Sequence, residues 1–300
     1  MSSHKPDYLH RHGPYGENFP RARSVQDLDG HRLTPAQEAA FRTSGFIHNI
    51  PILTPEQVGA LRDAIEAIVG RQTGREDELT AFSQADPADP ASRMTYMQGA
   101  WTITEAVHDL IFHPAITVKV AQLLGTSRVR FWHDQIFYKP PRHGGNVAWH
   151  QDYSYWQRSR PARHLTCWIG LDDSTVENGC LHTIPGSHTW PLLDPTTLLG
   201  NMDDLTKQLT PEQFAAFKPF ACEQPCGTCS FHHDHLVHGS YANTSERPRR
   251  AIVLNFLADG VLSHAPDGKL MPGADPVPLG NPIAGRHFPL VIDLDVAVLP

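Results

Sequence analysis

The apolar positions in the first third of the chain follow a helical period. In residues 54–70 they recur every three or four positions, which predicts an amphipathic helix; they are Val58, Leu61, Ile65 and Ile68. An earlier helix is predicted for residues 34–45, and both begin with Thr-Pro, an N-cap followed by a proline at the first helical position. A further helical stretch covers residues 103–124.

After residue 125 the pattern changes to that of strands. Short apolar or alternating segments are separated by Gly, Pro and Asn. The predicted strands are 129–138, 165–171, 179–184, 227–232 and 250–257. Several short strands after a helical start predict an α+β, mainly β fold, in which an antiparallel sandwich or barrel carries N-terminal helices on one side.

We interpret the chain as a single domain, because 300 residues with 40% hydrophobic content suffice for one buried core. The segments are an irregular arm (1–33), a helical flank (34–125), a sheet core (126–260) and a C-terminal extension (261–300). Polar residues 71–94 predict a flexible loop. Residues 187–224 interrupt the core and contain another Thr-Pro helix start, so this insertion is either a lid over a site or a packing appendage.

Charge and cysteine content exclude several classes of protein. The formal net charge of −7 argues against a nucleic-acid binder, which normally carries a basic surface. No segment approaches the run of about 18 apolar residues that spans a membrane, and the N-terminus lacks the apolar core of a secretory signal. The five cysteines include one C-x-x-C, at 226–229, without a matching second pair. We therefore expect ordinary buried thiols in a cytoplasmic protein.

The chain contains 19 histidines, and His150-Gln-Asp152 places one of them beside a carboxylate. On an extended strand, residues two apart point to the same face, so both side chains can reach one ion. A second imidazole would complete the facial triad of non-haem iron(II) oxygenases. The H-x-D pattern is common by chance, and its context has to support the interpretation.

That context begins 77 residues later, at Gly227, where a predicted strand and turn carry four histidines, at 232, 233, 235 and 238. His233 and His235 could form a rival H-x-H metal pair. Arg249 follows at a distance of eleven residues from His238, and a guanidinium can hold the distal carboxylate of 2-oxoglutarate through two parallel hydrogen bonds. Arg247 and Arg250 compete for this role, but strand alternation turns Arg250 to the opposite face.

Three blocks in this part of the chain resemble a known family. They are H-Q-D-Y-x-Y-W from residue 150, E-N-G-C-L-H-x-I-P-G-S-H from residue 177 and H-G-S-x-x-N-x-S-x-R-P-R-R-A from residue 238. Together they are similar to the phytanoyl-CoA dioxygenase family, with a resemblance that runs from Leu33 to the last predicted strand. It implies a double-stranded β-helix, a cupin-like jelly-roll barrel. It also implies a non-haem dioxygenase that uses Fe(II), 2-oxoglutarate and O2 to hydroxylate a small-molecule substrate, releasing succinate and CO2.

The resemblance assigns roles to seven positions. It makes His150, Asp152 and His238 the iron ligands, Arg249 the 2-oxoglutarate anchor, Ser240 its assistant, and Gln135 and Trp168 lining residues of the 2-oxoglutarate pocket. The other three histidines near His238 are then hydrogen-bonded wall residues. Strand alternation after Asp152 places Trp156 on the ligand face and Tyr153 and Tyr155 on the other.

Two other classes of function remain open from the sequence. A cupin-like metalloenzyme independent of 2-oxoglutarate would share the histidines but would not need Arg249. A non-catalytic binding module with a decayed site is the third interpretation. Related halogenases carry a small residue at the position of Asp152, so its carboxylate favours hydroxylation. The acidic balance weakly disfavours an acyl-CoA substrate, and the identity of the substrate and the oligomeric state stay undetermined.

Overall fold

Helices form where the caps and the apolar spacing coincide. The computed structural model describes residues 6–19, 21–22, 24–84, 94–142 and 145–296. Its α-helices are α1 (Val25–Asp29), α2 (Pro35–Ser44), α3 (Pro55–Val69), α4 (Glu105–Leu110), α5 (Pro114–Leu124) and α6 (Pro211–Ala216). Three of them, α2, α3 and α6, begin with a complete capping box, in which the Thr hydroxyl and the Gln side chain three residues later satisfy backbone N–H groups reciprocally. None of the described helices is long and apolar enough to cross a membrane.

The single helical stretch predicted for residues 103–124 is wrong, because it is interrupted before Pro114. Proline has no N–H to donate and favours the first position of a helix, so α4 ends and α5 begins there. The His113 Nδ1 atom accepts the N–H of Ala115 at 3.0 Å and caps the new helix.

The strands form two main antiparallel sheets that enclose a cavity. They are β1 (Phe46–Pro51), β2 (Ala81–Gln84), β3 (Thr95–Gln98), β4 (Arg128–Lys139), β5 (Val147–His150), β6 (Ser159–Arg160), β7 (His164–Gly170), β8 (Leu181–Thr183), β9 (Phe220–Cys222), β10 (Thr228–His233), β11 (His238–Ser240), β12 (Arg249–Ala258), β13 (Leu262–Ser263) and β14 (Leu290–Asp293). The major sheet has the order β1-β10-β7-β12-β4-β3-β2 with β14 also on β4, and the minor sheet has the order β5-β11-β8-β9. This is the expected jelly roll. The predicted barrel is open, since no strand pairing among the described residues joins the two sheets.

Several segments predicted to be irregular take part in the sheets. The segment 71–94, predicted to be a loop, contains β2, which pairs with β3 at the edge of the major sheet. Residues 85–93 of this segment lie outside the described residues. The insertion 187–224 ends in β9, which pairs with β8 in the minor sheet. The C-terminal extension 261–300 contributes β14, and the arm 1–33 contains α1. Backbone pairing with other strands stabilises β2, β9 and β14, and the local sequence does not report this pairing.

Strand alternation divides β12 between the hydrophobic core and the cavity. Ile252, Leu254 and Phe256 are buried in the core together with apolar residues of α3 and α5. Arg249 and Val253, on the opposite face, line the cavity. The major sheet therefore packs its outer face against the helices and presents its inner face to the site.

The caps of α3 and α6 allow a matched stability test. We expect Thr54→Ala to lower the free energy of unfolding by about 1 kcal/mol, because it removes the N-cap of a helix whose apolar face is buried. Urea denaturation measures this change. The same substitution at Thr210 removes an identical cap from a helix with no buried residue, and we expect a change below about 0.5 kcal/mol. Equal losses for the two variants would contradict this account of the core.

Candidate metal centre and its cavity

His150 and His238 are cross-strand neighbours in the minor sheet. They face each other in the register of β5 and β11, with ring centroids 4.2 Å apart. The Nδ1 atom of His150 lies 2.7 Å from the Ala148 carbonyl, and that of His238 lies 2.9 Å from the Leu236 carbonyl. Because a carbonyl oxygen only accepts, each Nδ1 carries the proton and each Nε2 keeps a free lone pair. Both imidazoles are therefore prepared to ligate a metal through Nε2.

Asp152 completes the cluster from a short 3-10 segment, Asp152–Tyr155, that follows β5. Its Oδ1 atom lies 3.5 Å from His150 Nε2 and 3.7 Å from His238 Nε2. The ligand atoms of the three residues all lie within 4.8 Å of one another. Two imidazole nitrogens and one carboxylate oxygen that converge in this way fit a divalent iron ion with open positions for further ligands.

The second oxygen of Asp152 is held by the major sheet. Its Oδ2 atom accepts the hydroxyl of Thr166 at 2.6 Å and lies 3.2 Å from His232 Nε2. Thr166 and His232 are themselves directly opposed in the register of β7 and β10. A cross-strand pair of the major sheet thus orients the carboxylate toward the cross-strand histidine pair of the minor sheet.

Electrostatics keep Asp152 and His238 in the protonation states that a metal requires. Burial alone would raise the pKa of Asp152, but His238, His150 and His232 outweigh it and hold this pKa well below the usual value. Burial, reinforced by His150 and His232, holds the pKa of His238 well below that of a free imidazole. At neutral pH the cluster therefore offers an ionised carboxylate and a neutral imidazole, and a metal ion does not have to displace protons from them.

Arg249 is a buried cation without a partner for two of its nitrogen atoms. The residue is 1% exposed, and neither Nε nor Nη1 has a hydrogen-bond partner among the described residues. Its guanidinium carbon lies 5.4 Å from the centroid of the Trp168 ring. Burial lowers the pKa of Arg249 to about 10, so the group is still charged at neutral pH. A buried, unpaired guanidinium is unfavourable unless an anion completes it, and this fits the distal carboxylate of 2-oxoglutarate.

Ser240 lies beside this guanidinium together with a residue that sequence reasoning missed. Lys139 faces Arg249 in the register of β4 and β12, and its Nζ atom donates to Ser240 Oγ at 2.8 Å. Burial, followed by the charge of Arg249, holds the pKa of Lys139 well below its usual value. Because Ser240 Oγ accepts from Lys139, its own hydrogen is free to donate to an anion. The signal for Lys139 in the sequence was its place directly after the predicted strand 129–138 and before two prolines.

All seven positions named from the sequence line one cavity of about 250 Å³. The structure brings together His150, Asp152, His238, Arg249, Ser240, Gln135 and Trp168. The Gln135 amide donates to the Tyr96 hydroxyl at 3.1 Å and accepts from Asn255 at 3.2 Å, so neighbouring side chains fix its orientation.

The predicted direction of the aromatic residues after Asp152 is partly wrong. Trp156 lines the cavity as expected, but Tyr155 lines it too. Residues 152–155 form a 3-10 turn, so the alternation of a strand does not continue beyond Gln151. Sequence reasoning also missed cavity residues contributed by distant segments; they are Tyr96, Gln98, His133, Leu198, Leu270, Met271 and Pro272. Their segments come together only in the folded chain.

The remaining histidines and cysteines take ordinary positions. His232 lines the cavity as the predicted hydrogen-bonded wall residue. The same prediction is wrong for His233 and His235, which are not among the residues that line the cavity. All five cysteines are free. Cys229 is buried in the core, and the Cys226 thiol donates to the Leu171 carbonyl at 3.1 Å. This agrees with structural thiols at the C-x-x-C.

Comparison with known proteins finds a matching family model and related sequences. The family model described as "Phytanoyl-CoA dioxygenase (PhyH)" matches residues 41–251. The chain is 26% identical to phytanoyl-CoA dioxygenase domain-containing protein 1 of Bos taurus, over 80% of this chain and 95% of that protein. It is 28% identical to a probable alpha-ketoglutarate-dependent hypophosphite dioxygenase of Stutzerimonas stutzeri, over 74% of this chain and 78% of that protein.

A solved structure confirms the jelly-roll fold. The epimerase SnoN, crystallised with Fe3+, alpha ketoglutarate and nogalamycin RO, superposes with a TM-score of 0.69 at 23% identity. The match covers 85% of this chain and 97% of the epimerase. At this level of identity the comparison establishes the shared fold.

The hydroxyl of Thr166 provides a test of how Asp152 is oriented. We expect Thr166→Val, which keeps the shape but removes the donor to Oδ2, to weaken Fe(II) binding by about 10- to 100-fold. Anaerobic titration with Fe(II) measures the affinity. Thr166→Ser keeps the hydroxyl and should bind as the wild type does. A valine variant with unchanged affinity would show that the contact does not orient the carboxylate.

Proposed function

The chain belongs to the phytanoyl-CoA dioxygenase family of iron(II)- and 2-oxoglutarate-dependent enzymes, and from this premise we propose that His150, Asp152 and His238 bind the iron and that Arg249 binds the co-substrate. The reaction that we propose is hydroxylation of an unactivated C–H bond of an uncharged small molecule. Iron, 2-oxoglutarate and O2 together supply the oxidation, which releases succinate and CO2. The protein's own residues position the reactants and exclude water.

The buried guanidinium of Arg249 is the observation that carries this proposal. It lies in the same cavity as the His-Asp-His cluster, and two of its nitrogens are unpaired among the described residues. A dicarboxylate whose keto-acid end reaches the iron would present its distal carboxylate to Arg249 and to the Ser240 hydroxyl. A cupin-like enzyme without 2-oxoglutarate, or a decayed binding module, would leave this cation buried and uncompensated.

The lining of the cavity supports an uncharged substrate. Among the described residues that line it, Arg249 is the sole lysine or arginine and Asp152 the sole carboxylate. Burial lowers the pKa of His133 to about 4, so this imidazole is neutral at physiological pH. Once 2-oxoglutarate neutralises Arg249, the lining offers no permanent cation to an anionic substrate. The relative from Stutzerimonas stutzeri is named for hypophosphite, an anion, and we propose a different substrate class for this chain.

We propose that the apolar side chains of the cavity position the substrate relative to the iron. They include Tyr155, Trp156, Leu198, Leu270, Met271 and Pro272. Polar groups of Gln98 and Tyr96 stand among them. This combination fits a molecule with an apolar ring or chain that also carries a hydrogen-bonding group.

Anaerobic titration of the apo-protein with Fe(II) and 2-oxoglutarate tests the cofactor assignment. The chelate gives a weak visible charge-transfer band, which we expect in the wild type and not in Asp152→Ala. We expect Arg249→Ala to weaken 2-oxoglutarate binding by about 100-fold, because charge-assisted hydrogen bonds to a buried carboxylate contribute about 3 kcal/mol.

Arg250→Ala is the matched control for this titration. Arg250 is adjacent to Arg249, but its guanidinium points away from the cavity and binds Asp172 and Glu66 at 2.7 and 2.9 Å. We expect this variant to bind 2-oxoglutarate as the wild type does. If the wild type binds iron without the band, or if both arginine variants lose it equally, the role proposed for Arg249 is wrong.

Succinate release tests the substrate class. We expect uncharged ring compounds, and not hypophosphite, to raise succinate production above the substrate-free rate, with a hydroxylated product detectable by mass spectrometry. For an active compound, Met271→Ala should raise KM by roughly tenfold, since it removes apolar contacts worth about 1–3 kcal/mol, and should leave 2-oxoglutarate affinity unchanged. Equal stimulation by hypophosphite would contradict the charge argument.

A further inference from the structure

Lys139 is a buried cation beside the proposed co-substrate anchor, and the proposed function gives it no role. The residue is fully buried, and it is directly opposite Arg249 in the register of β4 and β12. It is not among the described residues that line the cavity, whereas Arg249 and Ser240 are. Two like charges buried side by side are unfavourable, so packing alone does not explain a lysine at this position.

No carboxylate of the described residues compensates the charge of Lys139. Burial and the charge of Arg249 lower its pKa, and the Cys180 thiol is the one described group that acts in the opposite direction. That thiol is itself neutral near pH 7, because burial raises the pKa of Cys180 to about 12. Asp172 raises the pKa of Arg249, but its carboxylate is already paired with Arg250 at 2.7 Å. A carboxylate bound in the cavity would supply the missing negative charge.

The ammonium group of Lys139 controls the hydroxyl of Ser240. Its Nζ atom donates to Ser240 Oγ at 2.8 Å and to the Tyr241 carbonyl. An ammonium group has only donors, so Ser240 Oγ has to accept, and the hydrogen of the serine hydroxyl has to point elsewhere. Because Ser240 lines the cavity next to Arg249, this hydrogen is available to an anion that Arg249 binds.

The chain holds Lys139 in this position from two sides. The Asn243 amide donates to the Lys139 carbonyl at 3.3 Å and to the Pro140 carbonyl at 2.9 Å. Gly179 has a φ of +78°, and a Cβ atom there would lie 2.4 Å from the Tyr241 carbonyl oxygen and 3.2 Å from Lys139 Nζ. Glycine at position 179 therefore leaves room for both partners of this hydrogen bond.

We propose that Lys139 is a positioning residue for 2-oxoglutarate, and that it acts through Ser240, whose hydroxyl it orients toward the distal carboxylate bound by Arg249. This inference rests on the proposed function, because it concerns the binding of the same co-substrate. The carboxylate would attract both cations and so reduce the repulsion between them. Lys139 itself does not touch the co-substrate, since it lies behind the wall of the cavity.

A double-mutant cycle with Ser240 tests this proposal. Lys139→Met keeps an unbranched side chain and removes the ammonium group. We expect it to weaken 2-oxoglutarate binding to the anaerobic Fe(II) protein by about tenfold, the effect of one hydrogen bond, and to leave Fe(II) affinity unchanged. Ser240→Ala should weaken binding by a similar factor. The double variant should bind no more weakly than Ser240→Ala, because both substitutions remove the same hydrogen bond to the carboxylate.

Lys119→Met is the matched control for this cycle. Lys119 is another buried lysine, and its Nζ atom donates to the His31 and Ala115 carbonyls at 2.7 and 2.9 Å. Burial lowers its pKa as well, but it does not line the cavity. We expect Lys119→Met to bind 2-oxoglutarate as the wild type does, whatever its effect on the melting temperature.

The cycle separates failure of this inference from failure of the proposed function. Lys139→Met with wild-type affinity for 2-oxoglutarate, or losses that add in the double variant, would overturn the role of Lys139. An equal loss of affinity in Lys119→Met would overturn it too, since the effect would then be one of stability. If Lys139→Met does not fold, Lys139→Gln replaces it in the same cycle. A wild type that binds no 2-oxoglutarate would contradict the proposed function, and this inference with it.

Discussion

The two oxygens of the Asp152 carboxylate contact residues of different sheets. Oδ2 is bound by Thr166 and His232 of the major sheet, and Oδ1 faces His150 and His238 of the minor sheet. The geometry of the proposed iron site is therefore set by the distance and twist between two sheets. Each sheet contributes a directly opposed pair of residues, so backbone hydrogen bonds fix both pairs before any metal binds.

Burial of Arg249 and Lys139 beside the proposed iron site lowers the stability of the protein when no ligand is bound. Arg249 is buried opposite Lys139, with two nitrogens that lack a hydrogen-bond partner in the part of the chain that the structure describes. Arg249 begins β12, and Lys139 ends β4. If Arg249 binds the distal carboxylate of 2-oxoglutarate as proposed, part of the free energy that this burial costs would be recovered on binding, and the co-substrate would stabilise the folded protein. The apolar face of β12 offsets this cost by packing Ile252, Leu254 and Phe256 into the core. Strand alternation in β12 therefore directs one set of side chains into the core and the other set into the cavity.

The parts of the site that could be predicted from the sequence are those whose residues lie close together along the chain. His150 and Asp152 are two residues apart, and the preference for Arg249 over Arg250 rested on the family resemblance together with strand alternation. Met271 and Tyr96 could not be found in this way, because their segments reach the cavity only when the C-terminal extension folds and β3 pairs with β4. Tyr155 was misplaced for a local reason, since a 3-10 turn replaces the strand after Gln151.

The histidine-rich segment after β9 shows how backbone geometry distributes one residue type among several roles. On β10, alternation directs His232 inward to Asp152 and turns His233 outward to the surface. In the turn that follows, the His235 ring contacts the Asp234 carboxylate. On β11, His238 lines the cavity and lies opposite His150. Composition alone could not distinguish these four imidazoles, because their chemistry is identical. What separates them is the hydrogen-bond partner of each ring nitrogen, and that partner is set by the strand register and by the turn.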